Sequence, residues 1–153
     1  MSTGKKFDAG KPRMSLVPVG VINALLRVDR ENSGGPDNPE RYDVLRDLCD
    51  ELIDGEYEQA LYLCLLLLTE IRHGPLAGLD AIIDILEFGA AKYDENNWML
   101  VTDAKNRYTN AAWRHLLALA RGEDIDPESG KPHAAHLGCN LVFLTWLKQE
   151  GKL

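Results

Sequence analysis

His133, His136 and Asn140 recur at i, i+3 and i+7, which is one stripe of a helix. The stripe runs on into Phe143 and Leu147, residues that belong in a core. A face that is imidazole and amide at one end and apolar at the other puts a site at the end of a helical bundle. Two histidines at i, i+3 suit one metal ion or one phosphate, and they equally suit a pair of satisfied interior imidazoles. Just upstream, Arg107, Asn110, Arg114 and Arg121 fall near one helical stripe, with His115 beside Arg114. The planar guanidinium fork matches phosphate oxygens, although a plain solvated basic stripe has the same spacing. Only a short loop separates the two stretches. They should therefore be antiparallel neighbours that bring Arg114 and His115 towards His133 and His136.

That loop, residues 122–130, has acidic residues at Glu123, Asp124, Asp126 and Glu128. It lacks the twelve-residue calcium pattern that ends in a bidentate Glu. Glu123 and Asp126 are better candidates for a Mg²⁺ or Mn²⁺ ligand or a water-activating base, with His133, His136 and Glu123 as the metal set. At the N-terminus, Lys6, Asp8, Lys11 and Arg13 surround Gly10, which lets a backbone approach a phosphate closely. The spacing is not that of a P-loop, and on composition alone a solvated terminus is the simpler reading. Asp80, Asp84 and Glu87 share a face that reads as the wet side of a helix rather than a carboxylate cluster.

These groups need a scaffold. The chain has 153 residues, enough to bury about two-thirds of its unfolded surface without staples. Its 45% hydrophobic and 27% charged residues are the balance of a globular protein rather than a disordered one. Three cysteines with no CxxC argue against a disulfide framework or zinc ribbon, and for a reducing, cytoplasmic setting. Residues 1–13 have no apolar stretch of the signal-peptide kind. The longest apolar run, residues 60–68, is under half of the ~20 residues a membrane span needs. The net charge of −7 speaks against a nucleic-acid-coating surface. It is uneven: +4 in residues 1–30, −8 in 31–74 and −3 in 75–153, so it says little about the potential at a cleft.

Helical periodicity and Gly/Pro punctuation predict an extended arm to Pro18 and helices over 19–30, 39–54, 56–73, 76–93, 105–121 and 132–149. No long alternating pattern suggests a strand. The expected fold is all-α, a compact bundle of five or six helices forming one domain. The apolar helix 56–73 is either buried on most sides or an oligomer interface, and a homo-oligomer is expected.

Several motifs together resemble a known family. They are Lys6-Phe7-Asp8 with Gly10-Lys11-Pro12-Arg13, Phe88-Gly89-Ala90-Ala91-Lys92-Tyr93, Asn97-Trp98, Arg107-Tyr108, Arg114-His115-Leu116, Asp126-Pro127-Glu128-Ser129-Gly130, His133, Ala135-His136 and Asn140. The sequence is similar to the mainly bacteriophage family of dATP/dGTP diphosphohydrolase N-terminal domains, associated with MazG-like pyrophosphohydrolases. The likeness covers residues 5–18 and 75–147, and residues 19–74 read as a helical insertion. It implies a MazG-like bundle that cleaves (deoxy)purine triphosphates to monophosphate and pyrophosphate with Mg²⁺ or Mn²⁺, in the host cytoplasm if phage-encoded. Lys6, Asp8, Lys11, Arg13, Lys92, Tyr93, Asn97, Trp98, Arg107, Arg114, His115 and Asn140 would bind substrate. Glu123, Asp126 and His136 would act on water. The usual MazG carboxylates, EExxE and ExxD, are missing: Asn110, Ala111 and Arg114 stand for the first set, His133 and His136 for the second. That departure keeps open a protein that binds and sequesters a nucleotide or nucleotide-derived signal without turnover.

Overall fold

A computed structural model describes residues 16–31, 41–69 and 75–153. The described residues form six α-helices: α1 (Val19–Glu31), α2 (Arg41–Asp54), α3 (Tyr57–Leu68), α4 (Leu79–Tyr93), α5 (Ala104–Ala120) and α6 (His133–Gln149). Short 3₁₀ turns span Pro75–Gly78 and Asn97–Leu100. The extended pairing among these residues is one isolated bridge, Ile125 with Pro132, so the all-α expectation holds. No helix of the described residues is long and apolar enough to cross a membrane.

α6 is the axis. It packs on α5, α3, α4 and α1, and most of its length is buried. Small residues make this possible. Ala134, Ala135 and Gly138 let side chains of neighbouring helices come close, and a Cβ on Gly138 would lie 2.5 Å from Ile82 Cδ1 of α4. α3 lies against α2 and α6, with Ala60, Leu61, Cys64 and Leu65 fully buried. The Cys64 thiol donates to the Ala134 carbonyl oxygen at 3.1 Å. Leu16 and Val17, at the end of the predicted arm, are buried in the same core as α1 to α6.

Two helix boundaries differ from the sequence reading by more than two residues. α3 ends at Leu68, where Thr69 is extended and its hydroxyl donates to the Leu65 carbonyl at 3.1 Å; the predicted residues 70–73 lie outside the described residues. The helix expected from residue 76 begins as a 3₁₀ turn. Gly78 packs so tightly that a Cβ there would lie 2.9 Å from Leu68 Cβ.

Candidate functional site

α5 and α6 run antiparallel in a register set by ring contacts. Tyr108 meets Phe143 with centroids 4.7 Å apart, and His115 stacks on His136 at 4.8 Å with planes 8° apart. The seven-residue step on α5 matches the seven-residue step on α6, about 10 Å along each axis. In that register Ala111 lies level with Asn140. A cleft of about 470 Å³ opens beside this seam, within the size range of small-molecule sites. α5 contributes Arg107, Ala111 and Arg114, and α6 contributes His136, Asn140 and Phe143. α4 adds Phe88, Gly89 and Tyr93, and the following turn adds Asn97 and Trp98. Leu16 also lines it.

The two ends of the cleft differ chemically. At the Arg107 end Trp98 stacks on Phe143 at 4.4 Å and meets Trp146 edge-on at 5.2 Å. Tyr108 Oη donates to the Trp98 carbonyl at 2.7 Å, and burial pushes this phenol up to about 12. Trp98 is therefore spent largely on holding the wall, whereas Tyr93 is 56% exposed. The backbone feeding this turn is strained. Asp94 has φ 83° and ψ 152°, a region that L-residues seldom occupy, and Asn96 and Asp103 also have positive φ.

At the Arg114 end three histidines converge. His115 Nδ1 lies 2.9 Å from His133 Nδ1, so one proton is shared between the two rings. His133 is 6% exposed, and its Nε2 has no hydrogen-bond partner among the described residues. Burial, then the neighbouring His136 and His133, pushes His115 down to about 4. Burial also lowers His136, although Asp126 pulls the other way. The α5–α6 loop closes over this end. The Asp126 amide donates to the Lys131 carbonyl, and the Gly130 amide to the Asp126 carbonyl. Ser129 Oγ lies 2.9 Å from Asp126 Oδ2 and 2.7 Å from His136 Nε2. Burial works to raise the Asp126 carboxyl. The Ser129 hydroxyl, the Glu128 amide and the two histidines outweigh it and hold Asp126 below the usual carboxylate value. Lys131 Nζ reaches Asp84 Oδ2 of α4 at 2.5 Å, and Arg41 reaches Asp124 at 2.5 Å, which ties the loop down on two sides.

Of the residues singled out from sequence, Tyr93, Asn97, Trp98, Arg107, Arg114, His136 and Asn140 line the cleft. His115 and His133 back His136. Asn110 and Arg121 are exposed and do not line the cleft. Lys92 is exposed, with its ammonium over the Tyr93 ring. Lys6, Asp8, Lys11 and Arg13 lie outside the described residues. The expected metal set is not brought together: His133 faces His115, His136 faces Ser129, and Glu123 is exposed on the loop. Among the described residues no three of His, Cys, Asp and Glu come together as a group that could hold a metal ion. Asp84 is likewise engaged by Lys131 rather than grouped with Asp80. Sequence reasoning passed over Ser129. It enters that reading only as a member of the Asp126-Pro127-Glu128-Ser129-Gly130 motif.

A family model for dATP/dGTP diphosphohydrolase N-terminal domains matches residues 55–153, which takes in α3 to α6 and the whole cleft except Leu16. A relative, the dATP/dGTP diphosphohydrolase of Salmonella phage PMBT28, is 35% identical over 68 residues. That alignment covers 44% of this chain and 23% of the relative, so the match spans under a quarter of the relative's length. No solved structure matches. The matched family region covers more than half of the chain and contains Arg107, Arg114, His115, His133, His136 and Asn140. The chain belongs to the dATP/dGTP diphosphohydrolase N-terminal domain family.

Proposed function

We propose that the cleft binds a (deoxy)purine nucleoside triphosphate and hydrolyses it to monophosphate and pyrophosphate. One observation carries this reading: two cleft-lining arginines, about two helical turns apart on α5, share the wall of a nucleotide-sized space with an imidazole and an amide on α6. Arg107 and Arg114 take phosphate oxygens through their planar forks. The N-terminus of α6, which carries His133 and His136, adds a favourable dipole for negative charge. Tyr93 takes the base on its exposed ring.

In the reaction a water oxygen bonds to the α-phosphorus and the bond from that phosphorus to the bridging oxygen breaks. The electron pair leaves with pyrophosphate, and the water proton goes to His136. His136 suits the role because its lowered basicity keeps it neutral near pH 7. Asp126 supports it through the loop. Mg²⁺ or Mn²⁺ belongs to this proposal as an ion carried by the triphosphate itself, which spares the protein a full ligand set.

The missing EExxE and ExxD carboxylates favour a second reading, in which the same groups capture a nucleotide without turnover. One experiment separates the two. Purified protein is incubated with dGTP, dATP and the ribonucleotides plus Mg²⁺ or Mn²⁺, and monophosphate is measured. The hydrolase reading expects monophosphate from wild type and at least ~10²-fold less from His136→Ala, the low end of what a general base contributes. A thermal shift with nucleotide but no product supports capture. Neither signal with any nucleotide or metal sinks both.

A further inference from the structure

Ser129 Oγ has three polar neighbours. The Lys131 backbone N–H donates to it at 3.2 Å, Asp126 Oδ2 lies at 2.9 Å and His136 Nε2 at 2.7 Å. A hydroxyl has one hydrogen to give and two lone pairs to offer. Asp126 is held in its ionised form and has no hydrogen of its own. Ser129 must therefore direct its single hydrogen to Asp126 Oδ2. The hydrogen in the 2.7 Å contact has to come from His136 Nε2. The reverse assignment sets Oγ and a carboxylate oxygen lone pair to lone pair. It also leaves a bare Nε2 lone pair 3.4 Å from Asp126 Oδ2. Both contacts are repulsive in a partly buried loop.

We infer that Ser129 is a positioning residue that fixes His136 as its Nε2–H tautomer and leaves Nδ1 as the basic nitrogen of the ring. The order carboxylate, hydroxyl, imidazole turns the hydroxyl's hydrogen away from the ring, so Ser129 is not a nucleophile. The stack on His115 holds the ring plane, and Ser129 sets the proton within it. The loop is built for this purpose. Asp126 Oδ1 accepts the Glu128 amide at 3.3 Å, which orients the carboxylate so that Oδ2 faces the serine. The consequence for turnover rests on the proposed role of His136 as a base; the tautomer does not.

Long-range ¹H–¹⁵N correlation spectra of the histidine-labelled full chain at pH 7.5, without nucleotide, read the tautomer directly. Wild type is expected to carry the His136 proton on Nε2. Asp126→Asn is the sharpest variant. The Glu128 amide keeps the new carbonyl oxygen at the Oδ1 position, so the NH₂ group faces Ser129. Oγ then accepts from that group and gives its hydrogen to His136, which flips the ring to Nδ1–H. Ser129→Ala is expected to give a mixture of tautomers, and Ser129→Thr to restore the wild-type pattern, with α6 amide shifts unchanged in both. A wild-type proton on Nδ1, or an unflipped Asp126→Asn, overturns the assignment. If the protein is a hydrolase, Asp126→Asn also lowers kcat by about 10²-fold at nearly constant KM. A protein with the expected tautomers and no hydrolysis refutes the catalytic reading and leaves the positioning role standing.

Discussion

At the scale of single residues, the two ends of the cleft make separable demands on a nucleotide. Arg114 sits beside the histidines and should feel phosphate alone, whereas Tyr93 should feel only the base. Charge-assisted hydrogen bonds are worth ~1.5–3 kcal/mol each. Arg114→Ala is therefore expected to weaken both dGTP and inorganic tripolyphosphate about 10- to 100-fold in calorimetric titrations. Arg114→Lys should recover only part of that, because an ammonium cannot grip two oxygens in a plane. Tyr93→Ala should weaken dGTP and leave tripolyphosphate unchanged. Equal losses for both ligands in both variants would contradict this division. Much of this end of the site was legible in the sequence. The i, i+3, i+7 spacing of His133, His136 and Asn140 and the short loop before them were enough to bring Arg114 and His115 alongside. Ser129 was not legible. Its place depends on the loop folding back through the Asp126–Lys131 and Gly130–Asp126 backbone bonds, which side-chain periodicity does not encode.

At the scale of elements, the site depends on how closely α6 approaches α4 and α3. Gly138 is where the approach is tightest, and it lies between His136 and Asn140 on the helix that presents both. Alanine in a helix is ~1 kcal/mol better than glycine by propensity. Here its Cβ would meet Ile82 Cδ1 at 2.5 Å and Cγ1 at 2.9 Å, and Ile82 is fully buried. Overpacking of this kind costs ~1–3 kcal/mol. Urea unfolding of Gly138→Ala is expected to show a net loss of up to ~2 kcal/mol. Ile82→Val removes Cδ1, the nearer of the two colliding atoms, so the double variant should be more stable than the two single losses predict. Strict additivity would mean that the contact does not limit packing. Helix count and order followed from the apolar spacing, but the end of α3 did not. The unbroken run of leucines gives no stop signal before Gly74-Pro75, and the helix ends where the Thr69 hydroxyl takes the Leu65 carbonyl.

At the scale of the whole molecule, the histidine cluster ties stability to pH. His115 takes up a proton near 6.5 in the unfolded chain but only near 4 in the fold. Between those values the unfolded state holds more protons, so stability falls as pH drops from about 6.5 to 4 and levels off below. His136, lowered for the same leading reason, acts with the same sign. Asp126, also lowered, adds its loss only below the usual carboxylate value. The acidic stretch opposes them. Burial, with the charges of Glu56, Asp54, Asp50 and Asp47, raises Glu51, so the folded state gains a proton there first as pH falls and is stabilised. The bare stability curve mixes the two trends. A comparison with His115→Gln separates them, because Glu51 contributes equally to both proteins. One pKa unit is worth ~1.4 kcal/mol, and solvent screening at a partly exposed ring removes some of it. Between pH 7.5 and 4, wild type is expected to lose about 2 kcal/mol more than His115→Gln in urea titrations. Parallel curves would show that His115 protonates as readily in the fold as out of it, and His115 would then not be a source of acid sensitivity.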